Sequence, residues 1–203
     1  MSRRLAFLRE YRTPYRAAVR RAGVWRAAPA TWTFLALTLL VSLLWHVPAA
    51  HRAALACCAY RATDLTRWQQ APRVAASAFL VLRPIEAAWS VVASWLLLAP
   101  LEAAIGTRRL VVIGALGNLV PTLSTGLTWL ARHPGATNAP LDVGASAVVV
   151  AAGAALVVWS RSLPIAALLA LGLAVDVLVD TGLPAAEHLL ALAVGVGSML
   201  PLR

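Results

Sequence analysis

Long apolar stretches recur along this chain, with arginine gathered between them instead of interleaved among them. Such blocks overfill the core of a small soluble domain, whereas a hydrocarbon layer about 30 Å thick accepts helices of roughly 20 apolar residues. Composition agrees: 61% of the 203 residues are hydrophobic and 13% charged, against about 45–50% and about 25% in soluble domains. Disorder is excluded and a soluble globule disfavoured. In lipid every backbone polar group must be satisfied internally, and runs this long, rich in Leu and Ala, suit helices and not barrel strands. The expected fold class is all-α, a polytopic membrane protein built as a six-helix transmembrane bundle.

The expected spans are Thr31 to Ala50, Ala75 to Pro100, Leu110 to Leu130, Asp142 to Trp159, Leu163 to Val179 and Glu187 to Leu202. Trp32 and Trp45 stand near the ends of the first, where indole rings suit the interface. Residues 51–74, with the apolar patch Ala53 to Tyr60, read as a loop lying on or dipping into the interface. Residues 1–30 form a basic tail too long before the first span for a cleavable signal, and residues 31–203 form one bundle domain.

All eighteen cationic side chains are arginine, and eight of them precede the first span. An even number of spans puts both termini on one side, and the positive-inside rule makes that side cytoplasmic. Arginine-only, alanine-rich usage suits a GC-rich bacterial genome, and so a bacterial plasma membrane. The net charge of +10 raises nucleic acid as a partner. Arginines packed beside a hydrophobic span with little aromatic interleaving instead fit anionic lipid headgroups, so the expected partner is the bilayer.

Cys57 and Cys58, being adjacent, read as small apolar fillers. The four histidines His46, His51, His133 and His188 are scattered, and no phosphate loop or nucleotide fingerprint occurs. No metal or cofactor is implied.

Polar groups inside apolar helices are costly and mark function more often than charge on a surface does. Ser146 lies near the start of the fourth span and His188 near the start of the sixth, both entered from the outer side. The hydroxyl and the imidazole therefore fall at comparable depth, and a neutral imidazole can take the proton of a serine that attacks a carbonyl. His188, Ala191 and Gly195 share one helical face, as do Ser146 and Gly153, and small residues let two such helices approach. The alternative is that Ser146 bonds its own backbone and His188 is interfacial. Asp176 and Asp180, at i and i+4 on the fifth span, would instead suit an ion path in a small transporter. Asn118 reads as an interhelical hydrogen bond.

The order of these parts resembles the rhomboid intramembrane serine proteases over residues 31–202. Leu101-Glu102-Ala103-Ala104-Ile105-Gly106-Thr107-Arg108-Arg109 is similar to that family's LExxxGxxR turn between helices two and three. Ser77-Ala78-Phe79-Leu80 is similar to the entry to helix two, and Arg73 stands where the first-loop arginine of a WR pair falls, with Pro72 in place of the tryptophan. Gly144-Ala145-Ser146-Ala147 stands for the family's GxSG, and His188 opens its histidine motif, which has Ala191 for the first glycine and keeps Gly195.

The resemblance implies Ser146 as nucleophile, His188 as general base and acid, and a membrane-spanning protein as substrate. Glu86 and Ser90 stand where the family has the His and Asn of an HxxxN oxyanion motif. An ionised Glu86 would oppose the developing charge; a protonated Glu86, or Ser90 with backbone N–H groups from Gly144 and Ala145 to Ser146, would stabilise it. Glu86 could also pair with Arg83 at i, i+3. The alternative implied function is a non-catalytic rhomboid-like protein that binds transmembrane helices of clients.

Overall fold

The computed structural model describes residues 20, 23–66, 71–80, 84–136, 139, 141–142, 145–179 and 183–200. The described residues are helical except for turns and one short bridge. Helix α1 (Val24–Ala27) precedes α2 (Pro29–Leu43), a 3-10 turn and α3 (Pro48–Cys58). Then come α4 (Ala71–Ser77), α5 (Pro84–Ile105), α6 (Thr107–Arg132), α7 (Ser146–Ser160), α8 (Leu163–Val179) and α9 (Leu183–Gly197). Strands β1 (Tyr60–Arg61) and β2 (Leu141–Asp142) pair antiparallel with Tyr60 opposite Asp142, which ties the loop after α3 to the segment before α7.

Proline sets several helix starts. Its missing N–H costs nothing in a first turn, and Pro29, Pro48 and Pro84 open α2, α3 and α5. The first apolar block therefore ends sooner than expected, at Leu43, and most of the patch at 53–60 is helix, with no residue of α3 buried. The second block is divided: α4 ends at Ser77, and α5 runs on past Pro100 to Ile105. Helix α8 has the expected bounds, while α9 starts four residues before Glu187. Among the described residues two helices are long and apolar enough to cross a membrane, α5 over Ala87–Ile105 and α6 over Thr107–Arg132; α2, α7, α8 and α9 are apolar and shorter. Cys57 and Cys58 are joined as a vicinal disulfide and are not two separate fillers. The outward-lying α3 offers no core for them to fill.

Helix α7 is central. Ala147 to Val149 and Ala151 to Leu156 are all buried, because a run of Ala, Val and Gly leaves room for α5, α6 and α9 around it. Gly117 of α6 lies where a Cβ would overlap the methyl of Ala151, and Gly195 of α9 lies where one would overlap its carbonyl. Large apolar side chains, among them Leu40, Leu43, Trp89, Leu163, Leu168 and Leu178, point outward.

Glu102, 2% exposed, organises one end. Its Oε1 accepts the Ala30 N–H at 2.9 Å and the Thr107 hydroxyl at 2.7 Å. Its Oε2 accepts both the N–H and the hydroxyl of Thr31, each at 2.8 Å. First-turn N–H groups have no acceptor within their own helix and carry partial positive charge, so a carboxylate from α5 caps α2. Gly106, at φ 87°, then reverses the chain into α6 in a conformation that a side chain would strain.

We expect Glu102→Ala to destabilise the detergent-solubilised chain by about 3 kcal/mol or more, since buried donors lose their acceptor. Glu102→Gln, keeping one acceptor oxygen, should melt between Glu102→Ala and the parent. An unchanged melting temperature in Glu102→Ala would refute the cap.

Candidate functional site

The starts of α7 and α9 lie at the same end of the bundle. Thr125, late in α6, donates its hydroxyl to Glu187 at 2.8 Å, one residue before His188. The next residue, Gly126, packs on the Tyr60 phenol with no space for a Cβ, and Tyr60 pairs with Asp142, four residues before Ser146. At the opposite end Ile105, Arg109, Trp159, Arg161 and Met199 line one cleft, which gathers the last turns of α5 and α7 and the residues just after α9. These three helices therefore run parallel.

Register follows from the helical rise of 1.5 Å per residue. From the Ala151–Gly195 contact, Ser146 stands about 7.5 Å and His188 about 10.5 Å toward that shared end, a difference well under one turn. On the neighbouring side Gly153 packs against Leu97 of α5. Two turns earlier on both helices, Ser90 comes level with Ser146.

Ala191 and Gly195 are buried as their spacing predicts. Gly153 does not share their contact. It meets Leu97 of α5 and Leu169 of α8, while Ala151 and Ala154 receive α9. Residues 151 and 154 lie on one stripe, and 153 is turned about 200° from 151.

Ser146 is the first residue of α7 and is exposed at the end of a mostly buried helix. Ala145, fully buried, occupies the N-cap position without a side-chain cap, so first-turn N–H groups beside Ser146 need an outside acceptor. His188 is half-buried in α9, and Ser90 is buried in α5. Among the described residues no hydrogen bond joins the Ser146 hydroxyl to His188; resting catalytic pairs are often loose and tighten only around substrate. Glu86 belongs to the first turn of α5. Gly144, Arg83, Asp180, residues 1–19 and 21–22 of the amino-terminal tail and the side chains of Glu86 and Asp176 lie outside the described residues.

Asn118 donates to the Val74 carbonyl at 2.7 Å, which bonds α6 to α4. Arg73 pairs with Asp64 at 3.7 Å, and Asp64 also accepts the Arg61 N–H at 2.9 Å, so the first loop is held by its own charges. No group of three metal-ligating side chains occurs among the described residues. A larger cavity of about 530 Å³ lies elsewhere, between α2, α4 and α6, with Phe34, Leu37, Phe79 and Leu110 in its walls.

Sequence reasoning missed three polar features: the cap made by Glu102, the Thr125–Glu187 bond, and the two arginines facing one cleft. A carboxylate inside an apolar run was the available signal for Glu102. The others join residues 62 and 52 positions apart, with no local pattern to reveal them. No family model matches the chain, and no curated protein matches it.

Gly195→Ala should separate α7 from α9, lowering stability by about 1–3 kcal/mol, the usual cost of overpacking. Gly172→Ala, with open space around it, should be neutral or slightly stabilising. Thermal melts of the two variants check this; equal melting temperatures would contradict the close approach.

Proposed function

We propose that this chain is a six-span rhomboid-like intramembrane serine protease of a bacterial plasma membrane, with both termini cytoplasmic and Ser146 and His188 as its dyad. The observation that carries this reading is the backbone-close, parallel packing of α7 and α9, which sets a serine and a histidine at one end and at nearly one depth. Outward-facing Leu and Trp side chains support lipid contact. The fifteen residues of α7 rise only about 22 Å, short of a hydrocarbon core of about 30 Å. With Arg161 at the cytoplasmic interface, Ser146 is recessed below the outer surface, where water can still reach it.

His188 takes the hydroxyl proton as Ser146 Oγ bonds to the scissile carbonyl carbon of a membrane-spanning substrate. Negative charge then collects on the former carbonyl oxygen, and the uncapped N–H groups at the start of α7 are its nearest backbone donors. Ser90, level with Ser146 on α5, is a side-chain donor for the same charge. His188 returns the proton to the departing amine, and water, activated by the same imidazole, releases the acyl group from Ser146. No metal or cofactor enters this chemistry.

A second reading is favoured by the large apolar cavity beside α2 and α6 and by the Glu86 carboxyl in place of an oxyanion donor. In it the protein binds transmembrane segments of clients without cutting them.

Cleavage of a transmembrane reporter in reconstituted vesicles separates the two. The parent should cut it, and Ser146→Ala and His188→Ala should each lose at least about 10³-fold in rate. Removing the Ser90 hydroxyl should cost on the order of 10²-fold if it is an oxyanion donor. Equal processing by all variants eliminates the dyad, and binding without cleavage by the parent establishes the client-binding reading.

A further inference from the structure

The end of the bundle opposite Ser146 holds a second polar site. A cleft of about 230 Å³ there is lined by Ile105, Arg109, Val158, Trp159, Arg161 and Met199. Two guanidinium-bearing residues from different helices therefore share one small volume, and among the described residues neither is paired with a carboxylate.

Arg109 sits where helix electrostatics disfavour a cation, and Arg161 holds a backbone conformation that glycine usually takes. Arg109 lies in the first turn of α6, which contains no acidic residue, and a cation at a helix N-terminus opposes the helix dipole. Arg161 has φ 53° and ψ 34° at the C-cap of α7, and it is the one non-glycine residue with positive φ among the described residues. Glycine takes that conformation without strain and is the usual C-terminal residue there. Two guanidinium groups lining one small cleft are charged donors that an oxyanion between them would satisfy.

We infer that this cleft binds a phosphate group, with Arg109 and Arg161 as its bidentate donors. The cleft surface is mainly polar, and Ile105, Val158, Met199 and the exposed Trp159 supply its apolar part; in a membrane setting that combination points to a phospholipid headgroup as the source, since a lipid brings an acyl chain beside its phosphate. This assignment is separate from the proteolytic reading and relies only on the membrane setting for the lipid source.

The test uses the full chain in zwitterionic detergent. Short-chain phosphatidylglycerol, phosphatidylcholine and inorganic phosphate are titrated against melting temperature, and native mass spectrometry counts retained lipid. We expect phosphatidylglycerol to bind at least about tenfold more tightly than phosphatidylcholine, with that preference lost in Arg109→Gln and in Arg161→Gly. Arg161→Gly is the fold control: relieved of strain, the unliganded variant should melt no lower than the parent. Arg108→Gln removes the same charge one residue away and should keep the preference.

Inorganic phosphate protecting as well as phosphatidylglycerol would assign the site to free phosphate, with the oxyanion assignment upheld. No protection by either ligand, or an unchanged preference in both cleft variants, would overturn it. So would an equal loss in Arg108→Gln, which would reduce the effect to general surface charge. A marked drop in unliganded melting temperature in Arg161→Gly, with lipid preference retained, would make Arg161 a helix-dipole partner instead.

Discussion

The close approach of two backbones to Ala151 governs the rest of the molecule. Gly117 of α6 and Gly195 of α9 press on the same residue of α7 from different sides, one against its methyl and the other against its carbonyl. Backbones that approach this closely are held by packing and by a few hydrogen bonds. Small residues at the contact make that packing dense. The depth of Ser146, of His188 and, through Leu97 and Gly153, of Ser90 then follows from counting residues along three parallel helices.

The two ends of the bundle use polarity differently. At one, Glu102 replaces the acceptors that the start of α2 lacks, and Gly106 turns the chain, so a buried carboxylate is consumed by structure. At the other, Thr125 and Glu187 join α6 to α9, Tyr60 leans on Gly126, and the first turn of α7 keeps its amides without a side-chain cap. That first turn also carries the exposed serine.

Much of the helical architecture was legible in the sequence because long apolar runs suit helices. The bounds of α8 coincide with an apolar run broken by one carboxylate, Asp176, and the burial of Ala191 and Gly195 follows from i, i+4 spacing. Asn118 proved to be an inter-element donor, as a lone amide in an apolar helix suggests. The misplacements share a cause: apolar runs do not announce where prolines restart a helix, so α2 ended early and α5 was shifted toward Ile105. The partner of Gly153 depended on which neighbours surround α7, a tertiary fact with no local trace. The convergence of Arg109 and Arg161 likewise required the fold.

The most direct test of the central claim asks whether His188 activates Ser146, without needing any knowledge of the substrate. A fluorophosphonate probe reacts with serine only when a neighbouring base raises its nucleophilicity. Peptide mapping of the labelled, membrane-reconstituted chain should find the adduct on Ser146 in the parent and none in His188→Ala. Labelling of Ser146 that persists undiminished in His188→Ala, or an unlabelled Ser146 in the parent, would contradict the account.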